Sequence, residues 1–182
     1  MRLKITALLL AVVVVSATLG ASAYTTGSLT RSSSVDVVSD TNGLIGLTDG
    51  TSGDLVYKDG DSLAIDFSTS HATGANSNAT FTLGNTSAAT TSNAFQITNQ
   101  DDVARDITVS YSTTDSTADD GTDNLQFQIY NSSGTKVTTA SEEAAASSIS
   151  AASGETFYVV IVVDTNSLTS AADLSGELKV EA

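Results

Sequence analysis

The stretch "FYVVIVVD" (157–164) decides the fold class. Phe157, Val159, Ile161 and Val163 alternate along one side of an extended chain, and Tyr158, Val160 and Val162 on the other side are apolar too. The pattern predicts a strand over Thr156–Val163. A strand apolar on both faces belongs at the centre of a packed sheet or at a second interface. Upstream, "NLQFQIYN" (124–131) sets Leu125, Phe127 and Ile129 on one face and Gln126 and Gln128 on the other. That alternation marks a sheet with one buried face.

Working outward, short alternating runs separated by polar turns account for most of the chain. Further strands are predicted over Ser34–Ser39, Leu44–Leu47, Leu55–Lys58, Leu63–Phe67, Ala79–Leu83, Ala94–Thr98, Asp106–Tyr111, Leu125–Tyr130 and Ser175–Val180. "FQITNQDDVARDITVSY" (95–111) reads as a hairpin turning at Asn99–Asp102. "SVDVVSDTNGLIGL" (34–47) reads as another, its Asp36, Asp40 and Asn42 supplying turn chemistry rather than a site. "KDGD" (58–61) is a turn as well. Ser68–Asn78 and Asn85–Asn93 are expected to be exposed loops. One helix is plausible, in "TASEEAAASSIS" (139–150), where Thr139 and Glu142 have capping-box spacing; an Ala/Ser-rich surface loop explains the same residues. About 8–10 short strands with frequent turns predict an all-β, antiparallel β-sandwich over residues 34–182.

The first residues read as a secretory signal. Arg2 and Lys4 precede the apolar run Ile5–Val15, and Ala21-Ser22-Ala23 is a small-x-small cleavage site. Cleavage by signal peptidase after Ala23 would leave Tyr24 at the N-terminus, with Tyr24–Ser33 a separate lead-in segment. The rival reading, an uncleaved anchor, needs roughly 20 apolar residues, and this run is shorter. No stable membrane anchor is expected after cleavage, and no cysteine is present to carry a lipid.

Charge sets the solvent. The whole chain has 7 basic and 21 acidic residues, a formal −14. The signal takes Arg2 and Lys4, so the mature chain carries 5 basic against 21 acidic residues, a formal −16. Repulsion on that scale opposes compaction. At molar salt the Debye length is about 3 Å and the repulsion is screened. Secretion or surface display in a high-salt environment follows as the expectation. Nucleic acid is excluded as a partner by the same charge. With neither cysteine nor proline, the fold rests on its apolar core, and turns fall to Gly, Asn, Asp and Ser.

The inventory argues against an enzyme. His71 is the single histidine; it reads as a solvated residue of a polar loop rather than a catalytic base, and zinc sites with two histidines are ruled out. A carboxylate-paired glycosidase would want an aromatic-lined cleft, and the chain has no tryptophan. No catalytic residue or cofactor is assigned. Calcium is the one candidate ion: Asp115, Asp119, Asp120 and Asp123 gather hard oxygens around Gly121, against the plainer reading of a solvated acidic hairpin tip. Three sequons offer glycan acceptors at Asn78, Asn85 and Asn131.

Taken together, the signal, "SSSVDVVSDTNGLIGL", the segment "FQITNQDDVARDITVSY" and the ending "SGETFYVVIVVDTNSLTSAADLSGELKVEA" resemble a family. They are similar to exported haloarchaeal proteins of the DUF1102 domain family and, more distantly, to camelysin/TasA-like biofilm-matrix proteins and archaeal bundling pili. The resemblance implies a jelly-roll-like sandwich at the cell surface. For filament-forming members it also implies self-association by donor-strand exchange. Here Tyr24–Ser33 would be the donor strand, with Tyr24 and Leu29 as its apolar anchors. A metallopeptidase activity attached to some camelysin relatives does not transfer, because the chain has no HExxH. The expected function is therefore a non-enzymatic, exported structural protein, a filament or biofilm-matrix subunit. The alternatives are a monomeric calcium- or ligand-binding surface domain and, third, a small carboxylate-based hydrolase.

Overall fold

A computed structural model describes residues 39–68, 74–113, 122–166, 168 and 172–182. In chain order these form a single 3-10 turn at Asp40–Asn42 and eleven strands. The strands are β1 (Ile45–Asp49), β2 (Val56–Asp59), β3 (Ser62–Ile65), β4 (Thr80–Leu83), β5 (Phe95–Asn99) and β6 (Arg105–Thr113). They continue with β7 (Leu125–Tyr130), β8 (Lys136–Ser141), β9 (Ser147–Ala151), β10 (Thr156–Asp164) and β11 (Gly176–Glu181). The protein is all-β, with antiparallel sheets packed on one another as a sandwich.

β10 organises the larger sheet, β1-β5-β10-β7-β8. One edge pairs with β7 from Tyr158↔Tyr130 to Val163↔Leu125. Its other edge is shared: β5 takes Thr156–Val159 and β4 takes Ile161–Asp164. Phe157, Val159, Ile161 and Val163 enter the main core, while Val160 joins Ala89 and Tyr130 in a second, smaller cluster on the outer face. Of the two places expected for a two-faced strand, β10 takes the centre of a packed sheet, with its outer face covered by the chain itself. Residues 85–93 are not wholly an exposed loop as expected: Ala89 and Asn93 are buried, and Asn93 Nδ2 donates to the Ala89 carbonyl at 3.0 Å. On β7 the predicted alternation is observed, and the outward Gln126, Gln128 and Tyr130 are linked by hydrogen bonds of 3.0 and 2.8 Å.

The second sheet is β11-β6-β9, and β2 and β3 form a ribbon through the Gly60-Asp61 turn. Ile107, Val109, Ile149 and Ala151 face the same core as Phe95 and Phe127. Two expectations need correction. Residues 95–111 are not a hairpin: β5 pairs with β1 and β10, whereas β6 pairs with β9 and β11, so the chain crosses between sheets at 100–104. A buried side chain fixes that crossing. Asn99 is fully buried, and its Nδ2 donates to the carbonyls of Val103, Ala151 and Ala152 at 2.9–3.1 Å. Its Oδ1 accepts the Asp101 N–H at 3.1 Å.

The second correction concerns 139–150, which is neither a helix nor a surface loop. It comprises the end of β8, a turn and β9. β-Branched Val137, Thr138 and Thr139 favour a strand before the turn. Ile149 and Ala151 are drawn into the core on β9, where Ile149 pairs with Ile107 and Ala151 with Arg105. Nine of the ten expected strands fall within the described residues, and each is present within two residues at either end. For the hairpin expected over 34–47, the first strand lies outside the described residues apart from Ser39; the turn residues Asp40–Asn42 are the 3-10 turn.

Replacing Asn99 tests the crossing. Asn99→Ala leaves buried carbonyls and an amide unpaired, at about 1–3 kcal/mol. Asn99→Asp places a carboxylate against three carbonyls and should cost more than Ala. Urea unfolding of both variants checks the order.

Candidate functional site

Between the second sheet and the β2–β3 ribbon lies a groove of about 1160 Å³. Its floor is apolar: Leu125 and Phe127 from β7, Val163 from β10 and Tyr111 from β6. The Tyr111 and Phe127 rings lie 5.2 Å apart, and Phe95 packs edge-on to Phe127 at 6.5 Å. The walls differ in kind. Leu63 and Ile65 of β3 line one, and the consecutive residues Gly176, Glu177 and Leu178 of β11 line the other. Successive strand residues point to opposite faces, so three in a row lining a groove means that the strand's edge borders it. Among the described residues β11 pairs with β6 and with no strand beyond. An edge of this kind offers unpaired main-chain groups to another chain.

The rim is acidic, with Asp40, Asp66, Asp173 and Glu177. Asp40 also holds the chain in place, since its Oδ2 accepts the Leu63 N–H at 2.8 Å and its own N–H donates to the Asp61 carbonyl at 2.9 Å. The turn thus anchors the incoming chain beside β3, at the mouth of the groove. Asp66 accepts the Ser68 hydroxyl and, at 2.7 Å, the Ser68 N–H, and these bonds hold its carboxyl below the usual range. Tyr111 donates its hydroxyl proton to the Leu174 carbonyl. Burial, helped by the Glu142 and Asp173 carboxylates, pushes the phenol up to about 12, so it stays neutral at ordinary pH. Gly176 is required where β11 meets β6, since a Cβ there would lie 2.1 Å from the Ser112 carbonyl oxygen.

Beyond the groove floor, Glu142 caps the start of β7. Its carboxylate accepts the N–H groups of Asn124 and Leu125, the latter at 2.9 Å. Burial outweighs these bonds and raises its pKa. Sequence reading gives Glu142 a helix-capping role; its partners lie 17 and 18 residues away, and no local signal announces them. The groove is equally hidden in the sequence, because its lining comes from separated strands and the segments between them.

Of the calcium candidates, Asp115, Asp119 and Asp120 lie outside the described residues. Asp123 accepts the Ser141 hydroxyl at 2.6 Å. Among the described residues no group of three or more His, Cys, Asp or Glu side chains could hold a metal ion. His71, Tyr24 and Leu29 also lie outside the described residues. The sequon residues separate: Asn78 has φ +52° and lies beside groove-lining Asn76 and Ser77, whereas Asn85 follows β4 and Asn131 follows β7. No described helix is long and apolar enough to cross a membrane. Searches against protein-family models, curated proteins and solved structures found no match to this chain.

The raised Glu142 pKa gives a signed test. A carboxyl raised in the fold contributes stability while protonated and loses it as pH climbs through the folded pKa. Glu142→Gln keeps an acceptor and does not titrate, so its stability relative to the parent should increase between pH 4 and pH 7. Glu142→Ala should lose about 1–3 kcal/mol for each amide left unpaired. Denaturant curves at both pH values measure the differences.

Proposed function

We propose that this is an exported, non-enzymatic structural protein whose subunits join by strand addition, the segment Tyr24–Ser33 of one chain entering the groove of the next. The observation that carries the reading is the apolar floor of the groove, bordered by an edge of β11 that pairs with no further strand among the described residues. Strand addition draws affinity from main-chain hydrogen bonds and specificity from side-chain pockets, and an edge beside an apolar floor supplies both.

Length and charge support the same occupant. Ten extended residues reach about 33 Å, and the six of β11 reach about 20 Å, leaving chain to link the subunits. Within Tyr24–Ser33 the single charged side chain is Arg31, joined by the α-amino group once the leader is removed. Both are positive and would meet Asp40, Asp66, Asp173 and Glu177. The remaining surface is strongly acidic, and concentrated salt would allow such subunits to approach. Two features favour a non-catalytic groove. Tyr111 is held neutral, and on the rim the Ser68 hydrogen bonds hold the Asp66 carboxyl below its ordinary range, opposite to what a general acid needs.

The competing reading, a monomeric domain binding an extended apolar ligand, uses the same groove. Electron microscopy of the Tyr24–Ala182 chain in molar salt separates the two. Filaments are expected, and they should disappear on deleting residues 24–33 or on Leu178→Lys while far-UV circular dichroism stays unchanged. A chain that stays monomeric on concentration, with or without 24–33, would overturn the assembly reading.

A further inference from the structure

We infer that Asn131 and Asn85 are N-glycan acceptors and that the third sequon residue, Asn78, is not. The inference rests on the export reading, since the glycosyl donor is met outside the cytoplasm, and it goes beyond it by sorting the sequons on geometry. In Asn131-Ser132-Ser133, Asn131 Oδ1 accepts the Ser133 N–H at 3.1 Å, the Ser133 hydroxyl at 2.7 Å and the Thr135 N–H at 3.0 Å. In Asn85-Thr86-Ser87, Oδ1 accepts the Ser87 N–H at 2.9 Å. The partners are N–H and O–H donors, which fixes Oδ1 as the acceptor and leaves Nδ2 without an intramolecular acceptor among the described residues.

That polarity suits the chemistry. Hydrogen bonds to Oδ1 draw electrons from the amide and make Nδ2–H more acidic. Nδ2 then forms a bond to the anomeric carbon of a lipid-linked glycosyl phosphate. The carbon–oxygen bond to phosphate breaks, the lipid phosphate leaves with the electron pair, and the Nδ2 proton passes to a base of the transferase. Asn85 is exposed, and Asn131 is partly exposed at the head of an exposed turn, so both can be reached after folding.

Asn78-Ala79-Thr80 is built differently. The Asn78 and Ala79 N–H groups donate to the carbonyl and hydroxyl oxygens of Thr165 at 3.4 and 3.0 Å. Thr80 already belongs to β4 opposite Asp164, and its hydroxyl accepts the Asn166 amide at 3.4 Å. Asn78 is exposed, but among the described residues no N–H or O–H donates to its Oδ1, so its amide lacks the polarisation set at Asn131 and Asn85. Position follows the same division. Asn131 lies beyond the Tyr158↔Tyr130 pair, whereas the groove meets β10 at Val163, about 17 Å along the strand. A glycan there leaves the groove open, while one at Asn78 would sit on its rim.

The test is mass analysis of the protein from its native producer, with intact mass and N-terminal peptide read together. The expected result is a chain beginning at Tyr24 and heavier than its bare sequence by glycan increments. One increment should be lost with Asn131→Gln or Ser133→Ala, one with Asn85→Gln, and none with Asn78→Gln. A bare chain beginning at Tyr24 overturns the glycan inference and leaves export intact. A bare chain still carrying residues 1–23 overturns both. Modification at Asn78 alone overturns the geometric sorting.

Discussion

The fold depends on β10 being buried on both sides. Its inward residues join the sandwich core, and its outward Val160 is sealed by Tyr130 and by Ala89 from the connection between β4 and β5. Because β10 is covered above and below and paired along both edges, β4, β5 and β7 have one place each to go. β1 and β8 then complete the sheet on β5 and β7. The apolar floor of the groove is a continuation of this arrangement, since Val163 pairs with Leu125 and both line the groove beside Phe127.

The legible parts of the sequence are those in which one residue's role is set by its immediate neighbours. "FYVVIVVD" and "NLQFQIY" state their faces by alternation alone, and "KDGD" states its turn. The misleading parts are those in which a polar side chain has a distant partner. Asn99 between two alternating runs looks like hairpin chemistry, yet its amide gathers carbonyls from the crossing and from the end of β9, and so sends the chain into the other sheet. Glu142 has the spacing of a helix cap, yet it serves amides on β7. In both places local propensity offers two answers, and tertiary hydrogen bonds choose between them.

The groove shows the same limit in another form. Leu63, Tyr111, Leu125, Val163 and Leu178 are each ordinary strand residues, and nothing in their local sequence distinguishes a wall from a core position. Only the pairing order reveals that, among the described residues, β11 has one neighbouring strand where β6 has two. The acidic rim is likewise invisible in a chain with 21 acidic residues, since nothing local marks the four that line the groove. Asp40 is legible as a turn residue, and it is one; its bond to Leu63 adds an anchoring role that the turn alone does not suggest.

The lateness of β10 has a consequence for biosynthesis. The strand that holds β4, β5 and β7 together begins at Thr156 of 182 residues, so most of the chain is made before its sheet has a centre. Pairings across such sequence separations form slowly, because the long intervening loops must first be closed. Until then the emerging chain is a set of short strands lacking their common partner. The order of strands along the chain thus delays assembly of the larger sheet until most of the chain has been made.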